Sequence, residues 1–372
     1  MEQHESIKTE DRKTIPPLKT LYFYLTGDCN MACRHCWIAP TFENSDRSQM
    51  YLPFDLFTKV VREGKEMGIS GIKLTGGEPF IHPDIINILR FIRDNELTLT
   101  IESNGVALTP HLADLIRSCR RPFISISIDG SRESHEWMRG VKGSFERVSQ
   151  GVRCLVETGV HPQVIMAVSK RNQHEIAELA RYAQDLGASS VKYNFVTPTS
   201  RGETMGEEDG VIPVFEQVSL ARWIRDDLQK EMKIELMTNL PMAFSGLSSI
   251  LGPQGNCGRC GIFSIVGILS DGRYALCGIG TSISELCFGH ASTDSLKTIW
   301  EETGVLNTIR NSLPKDLKGI CSHCLVKKIC LGHCIANNYY AYRDLMAGHK
   351  FCEEAFKEGF FPMTRYCEGG VQ

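Results

Sequence analysis

The run Leu21-Tyr-Phe-Tyr-Leu-Thr-Gly-Asp-Cys29-Asn-Met-Ala-Cys33-Arg-His-Cys36 passes from an apolar, strand-like segment straight into three cysteines spaced C-x3-C-x2-C. A strand that ends in a chemically reactive loop belongs in an α/β fold, where function gathers at the C-terminal edges of the strands. The pattern outward agrees. A helix periodicity runs from Phe54 to Met67, followed by GIKLT (71–75), a helix near Asp84–Asn95, LTLTIES (97–103) and a helix near His111–Cys119. PFISISID (122–129), a helix near Phe145–Thr158, VIMAVS (164–169), a helix near Glu175–Leu186 and SVKYNFV (190–196) complete the series. Six β–α units predict a parallel sheet with helices outside, closing into a partial (β/α)6 TIM-like barrel. A loop rich in Gly and Glu (Thr199–Gly210) and one more helix and strand reach about Thr238. The expected organisation is a polar lead-in at 1–19, the barrel at 20–240 and a cysteine-rich region at 241–372, which opens with a hairpin (262–277) turning at Asp271-Gly272.

Bulk properties narrow the function classes. The 372 residues are 42% apolar and 23% charged with a net charge of −3, the balance of a soluble globular protein with no electrostatic case for nucleic acid or an anionic membrane. No run of eighteen apolar residues occurs, and the polar start lacks a signal-peptide core, so a cytoplasmic protein is expected. Fifteen cysteines in a reducing compartment point to metal or redox chemistry rather than disulfides. Three lie in the first loop and ten follow from Cys257 onward.

Three thiolates in one tight loop suit a [4Fe–4S] cluster with one iron left open better than a zinc site, which takes four ligands. At Cys29, Cys33 and Cys36 the chain resembles the radical S-adenosylmethionine (SAM) superfamily, in which the open iron chelates the amino and carboxylate groups of SAM. Reductive cleavage then gives methionine and a 5′-deoxyadenosyl radical. Energetics fit that chemistry: iron–sulfur clusters reach about −700 mV, whereas dithiols lie at roughly −120 to −270 mV.

Further features carry the resemblance along residues 20–240. Thr75-Gly76-Gly77-Glu78-Pro79 is similar to the family's GGEP motif, implying that Gly76, Gly77 and Glu78 hold the SAM amino group. Ser103-Asn104 and Ser127-Ile128-Asp129 resemble the strand ends that contact the ribose and methionine portions. Arg139 resembles the arginine that pairs with the SAM carboxylate, against a bland reading as a solvated helix-end charge. His35 stands where the family makes its adenine contact.

The array Cys321-x2-Cys324-x5-Cys330-x3-Cys334-x17-Cys352, preceded by Cys260 and Cys277, resembles the SPASM domain of radical SAM enzymes. That domain binds two auxiliary [4Fe–4S] clusters, so the resemblance implies three clusters in all. Cys321, Cys324, Cys330 and Cys352 would hold the distal one, and Cys277, Cys334, Cys260 and Cys257 the nearer one. Two zinc sites from the same thiolates are the alternative. Cys119, Cys154, Cys287 and Cys367 read as plain thiols. Thr293–Arg310 resembles the helical link between SPASM clusters, with Trp300 as core.

The resemblance implies hydrogen abstraction from an unactivated substrate carbon, with the auxiliary clusters accepting an electron, and flavodoxin or ferredoxin as reducing partner. Glu358–Arg365 and the opening Tyr24–Cys29 are similar to maturases associated with nitrile-hydratase-type or Nif11-type leaders. This suggests a ribosomally made precursor peptide as substrate, modified by crosslinking, epimerisation or backbone excision. With the first strand near residue 20, a separate leader-recognition protein or leader binding by the barrel itself is expected. Gly278 stands where sulfatase-maturing relatives carry a catalytic aspartate, which argues against formylglycine formation. A haem-precursor (sirohaem-type) decarboxylase is the enzyme alternative; a non-enzymatic cluster carrier or sensor is the other.

Overall fold

The computed structural model describes residues 15–42, 50–205, 209–247, 250 and 260–371. Cys257 lies outside the described residues, as does most of the polar lead-in.

The barrel alternates β1 (Thr20–Tyr24), α1 (Phe54–Glu66), β2 (Gly71–Thr75), α2 (Ile85–Asp94), β3 (Thr98–Ser103) and α3 (Pro110–Ser118). Next come β4 (Arg120–Ser127), α4 (Arg132–Arg139), α5 (Ser144–Glu157), β5 (Gln163–Val168), α6 (Ile176–Asp185), β6 (Ser190–Phe195), α7 (Val214–Trp223) and β7 (Glu235–Thr238). Strands β1 to β7 neighbour one another in chain order, all parallel. The strand and helix bounds expected from periodicity hold to within one or two residues.

Beyond Thr238 the hairpin forms as β8 (Ile265–Ile268) and β9 (Arg273–Ala275), with β10 (Cys287–His290) beside it. Gly272, at φ +87°, turns it. One feature was not foreseen: β8 pairs in parallel with β1, Thr20 opposite Ile265, so a single ten-stranded sheet runs across the expected boundary near residue 240. The cysteine-rich region is thereby welded to the barrel edge that carries the first cysteine loop.

Period-2 alternation sorts the barrel side chains. Leu21 and Phe23, Ile72 and Leu74, Leu99 and Ile101, Ile124 and Ile126, Val164 and Met166, Val191 and Tyr193 pack outward into the core beneath the helices. The intervening positions (Tyr22 and Tyr24, Lys73 and Thr75, Thr100 and Glu102, Ser125 and Ser127, Lys192 and Asn194) face the other way. A closed TIM barrel fills its lumen with branched apolar layers. This lumen is polar.

Helix α4 was missed by the periodicity reading. Its residues RESHEWMR are mostly polar, but Ser131 caps it by accepting from the Ser134 amide, and Gly140 at φ +69° ends it. Those two signals mark a helix without an apolar stripe.

Candidate active site

The Gly-Gly-Glu loop after β2 lies directly against the cysteine loop after β1. The Gly77 amide donates to Thr26 O at 2.9 Å and the Glu78 amide to Asp28 O at 3.0 Å. A Cβ on Gly77 would sit 1.8 Å from Asp28 O, and one on Gly76, at φ +134°, 2.9 Å from Thr26 O. Both glycines are therefore required by backbone approaching backbone, before any ligand is considered. From the other side, Arg139 O and Met138 O at the end of α4 accept from the Ala32 and Arg34 amides, each at 3.0 Å.

The loop so braced turns Cys29, Cys33 and Cys36 into one pocket of about 170 Å³, shared with His35, Gly76, Gly77, Ser103, Asn104, Ser127 and Arg139. Three of the expected residues stand behind this wall. Glu78, fully buried, accepts from Phe80 N (3.0 Å), Ser103 Oγ (2.8 Å) and Asn104 N (2.8 Å). Its carboxylate thus ties the ends of β2 and β3 together, and burial pushes its pKa up to about 7. Pro79 opens the turn that follows. Asp129, also fully buried, takes Arg139 in a two-point grip, Nε at 2.6 Å and Nη2 at 3.0 Å, and accepts from Ala167 N. Burial is the largest single influence and would raise the Asp129 carboxyl, but Arg139 together with the neighbouring His35 and His135 holds it low.

Arg139 is 7% exposed, not a solvated helix end. Its remaining Nη1 reaches Cys33 Sγ at 3.5 Å, and Asn104 Nδ2 approaches Cys29 Sγ at 3.8 Å. Donors aimed at sulfur stabilise thiolates, which otherwise resist forming here because burial pushes Cys29 and Cys33 upward. His35 Nδ1 is buried without a hydrogen-bond partner, and burial pushes that imidazole down to about 4, so it is neutral. Two buried thiols and a half-buried third on one wall, two sulfur-directed donors and an orphaned ring nitrogen in one pocket fit a cluster with a nucleotide ligand. Trp37, Thr75 and Glu102 also line the pocket. The alternation of TLTIES, which puts Glu102 in the lumen, was the signal for the last of these.

A second, far smaller cavity is walled by Cys321, Cys324, Cys330 and Cys352 with Pro241, Lys327, His349 and Phe361. Burial pushes Cys321 up to about 12, so loading metal there releases protons. Cys260 lies within electrostatic reach of Cys334 and Lys73, and Cys277 within reach of Tyr22 and Tyr24, which brings both thiols near the lumen side of β1 and β2. Among the described residues no three Cys, His, Asp or Glu converge tightly enough to hold a single metal ion. Thiols that ring a cavity fit a multi-iron cluster. Cys119 and Cys154 are core residues, as expected, and Trp300 is buried, donating Nε1 to Pro16 O. A Cβ on Gly278 would fall 2.3 Å from the Tyr24 ring and 2.7 Å from Trp37, so a carboxylate base has no room there.

Comparison with known proteins matches these two regions separately. The Radical SAM superfamily profile covers residues 23–183, and that of the SPASM iron–sulfur cluster-binding domain covers 257–325. The AdoMet-dependent heme synthase of Methanosarcina barkeri is 31% identical over 349 residues, 88% of this chain and 94% of that protein. The PqqA peptide cyclase of Rhizobium meliloti is 26% identical over 329 residues, 87% of this chain and 83% of its own. Streptococcus suis SuiB bound to S-adenosylmethionine superposes with a TM-score of 0.68 at 17% identity, covering 91% of this chain and 78% of SuiB; it shares the fold. No helix among the described residues is long and apolar enough to cross a membrane. This chain belongs to the radical SAM superfamily and carries a C-terminal SPASM domain.

Proposed function

We propose that the chain is a haem-precursor decarboxylase, which removes side-chain carboxylates from an iron tetrapyrrole by radical chemistry. The observation that carries this reading is the end-to-end match to the heme synthase, which spans barrel and SPASM region together. It displaces the peptide substrate suggested by the terminal motifs, which rested on two short segments. In this reading Cys29, Cys33 and Cys36 hold one [4Fe–4S] cluster, and Cys321, Cys324, Cys330 and Cys352 hold another. Cys260, Cys277 and Cys334, with Cys257, hold a third. When bound, the first cluster and SAM would supply a 5′-deoxyadenosyl radical that abstracts hydrogen from an unactivated carbon. Around them Arg139, fixed by Asp129, steadies Cys33; Gly76 and Gly77 bring the β2 end against the pocket; Glu78 locks the β2 and β3 ends; His35 offers a neutral ring nitrogen. Flavodoxin or ferredoxin is the proposed electron donor.

The test is turnover of the anaerobically reconstituted enzyme with SAM, dithionite and a tetrapropionate iron porphyrin. The reading expects carboxylates lost as carbon dioxide, with 5′-deoxyadenosine formed in step. The second reading, modification of a precursor peptide, is supported by the match to the PqqA peptide cyclase over most of both chains. Porphyrin left intact, beside a co-expressed precursor peptide changed in mass, would favour it.

A further inference from the structure

The lumen below the pocket holds charge that the SAM site does not use. Lys73 on β2 and Lys192 on β6 stand on walls separated by three strands, both at lumen-facing positions of their alternation. Lys73 Nζ binds Glu102 Oε1 at 2.7 Å and lies 4.8 Å from the centre of the Tyr22 ring. Glu102 keeps 45% of its side chain open; since it lines the pocket, much of that surface faces the chamber. Thr75 Oγ1 meets its other oxygen at 3.5 Å. Lys192 has no ion pair or side-chain hydrogen bond among the described residues, yet it feels both Glu102 and Lys73, and burial lowers its pKa. Two ammonium groups against one carboxylate leave a surplus positive charge in a polar chamber. Through Thr75 and Glu102 that chamber is continuous with the pocket of the first cysteines, and Cys277 lies within electrostatic reach of Lys73. An ammonium group without a fixed counter-ion in a half-buried chamber is stabilised by an incoming anion.

We propose that Lys73 and Lys192 form a carboxylate grip in the barrel lumen, which anchors an acidic side chain of the substrate while another of its groups faces the SAM pocket. This rests on the haem-precursor reading and makes it specific: the substrate must carry more than one carboxylate, at least one of them to be held and not consumed. Glu102 sets the position of Lys73 and leaves Lys192 free for the incoming anion. Asn194, two residues along the same lumen face, has a buried Oδ1 without a partner and can take a hydrogen bond from a protonated acid.

The test is absorbance titration of the fully reconstituted enzyme with a tetrapropionate iron porphyrin and with its tetramethyl ester. The wild type should bind the acid at least about tenfold more tightly than the ester, the effect of losing a charged partner in a desolvated site. Lys192→Met should weaken the acid by about the same factor, Lys192→Arg should largely restore it, and neither should change ester binding. Surface Lys230→Met, remote from the lumen, is the control. Equal affinity of the wild type for acid and ester overturns the grip even if no lysine variant folds. So does acid binding by Lys73→Met and Lys192→Met within about twofold of wild type; in either case the haem-precursor reading stands. If the wild type binds neither porphyrin, that reading falls and takes the grip with it.

Discussion

The two cysteine cavities differ in how their thiols are delivered. In the first, Cys29, Cys33 and Cys36 come from one eight-residue loop, and glycine backbone, an arginine and an unpartnered histidine nitrogen complete the wall. In the second, Cys321, Cys324, Cys330 and Cys352 come from separate short elements and close a cavity less than half as large, completed by proline, phenylalanine and histidine. Three thiols plus polar space leave a corner for a ligand, whereas four thiols plus apolar wall saturate a cluster and store charge. On the proposed ligand assignment, this difference would separate a reacting centre from an electron reservoir.

The strongest way to break this comparison is to empty the first cavity. Changing Cys29, Cys33 and Cys36 together to alanine should abolish 5′-deoxyadenosine formation under dithionite and leave about eight irons per chain; full iron retention would refute the assignment. Next in size, Arg139→Lys keeps the charge but loses the two-point grip on Asp129. SAM cleavage should fall roughly 10–100-fold, as for other groups that orient ligands from behind, with a shifted cluster potential as the marker. Gly77→Ala should cost about 1–3 kcal/mol in chemical denaturation and weaken SAM binding, because the new methyl meets Asp28 O. In the second cavity, Cys352→Ala should remove about four irons yet keep most SAM cleavage while substrate turnover is lost. Equal loss of both would erase the distinction.

The smallest effect belongs to Glu78. Burial raises its folded pKa to about 7 from 4.5, so between those values the folded state holds more protons than the unfolded one. Stability from this group is present below 4.5 and falls as pH climbs through 7. Glu78→Gln should flatten the pH dependence of the denaturation midpoint in that window; an unchanged slope would place the ionised carboxylate in the fold.

The sequence pattern made the six strands legible because each alternates a core side with a lumen side, and the cysteine spacings made both thiol sets legible because loop ligands are local. What escaped was non-local. The pairing of β8 with β1 depends on Ile265 meeting Thr20 across the chain. The relay from Asp129 through Arg139 to Cys33 depends on α4, whose polar surface hides it from periodicity. Glu78, expected from the resemblance to contact SAM, also ties the ends of β2 and β3 together, a contact no one-dimensional pattern shows. The proposed lysine grip was the least legible feature, since a lysine on β2 and another on β6 share a lumen only once the barrel has formed.

Electron paramagnetic resonance of the dithionite-reduced enzyme, recorded with and without SAM, tests the open corner most directly. SAM should perturb one cluster signal only, the one missing from the Cys29, Cys33 and Cys36 alanine variant. A SAM-dependent change that survives in that variant would contradict the assignment of the reacting centre to the first loop.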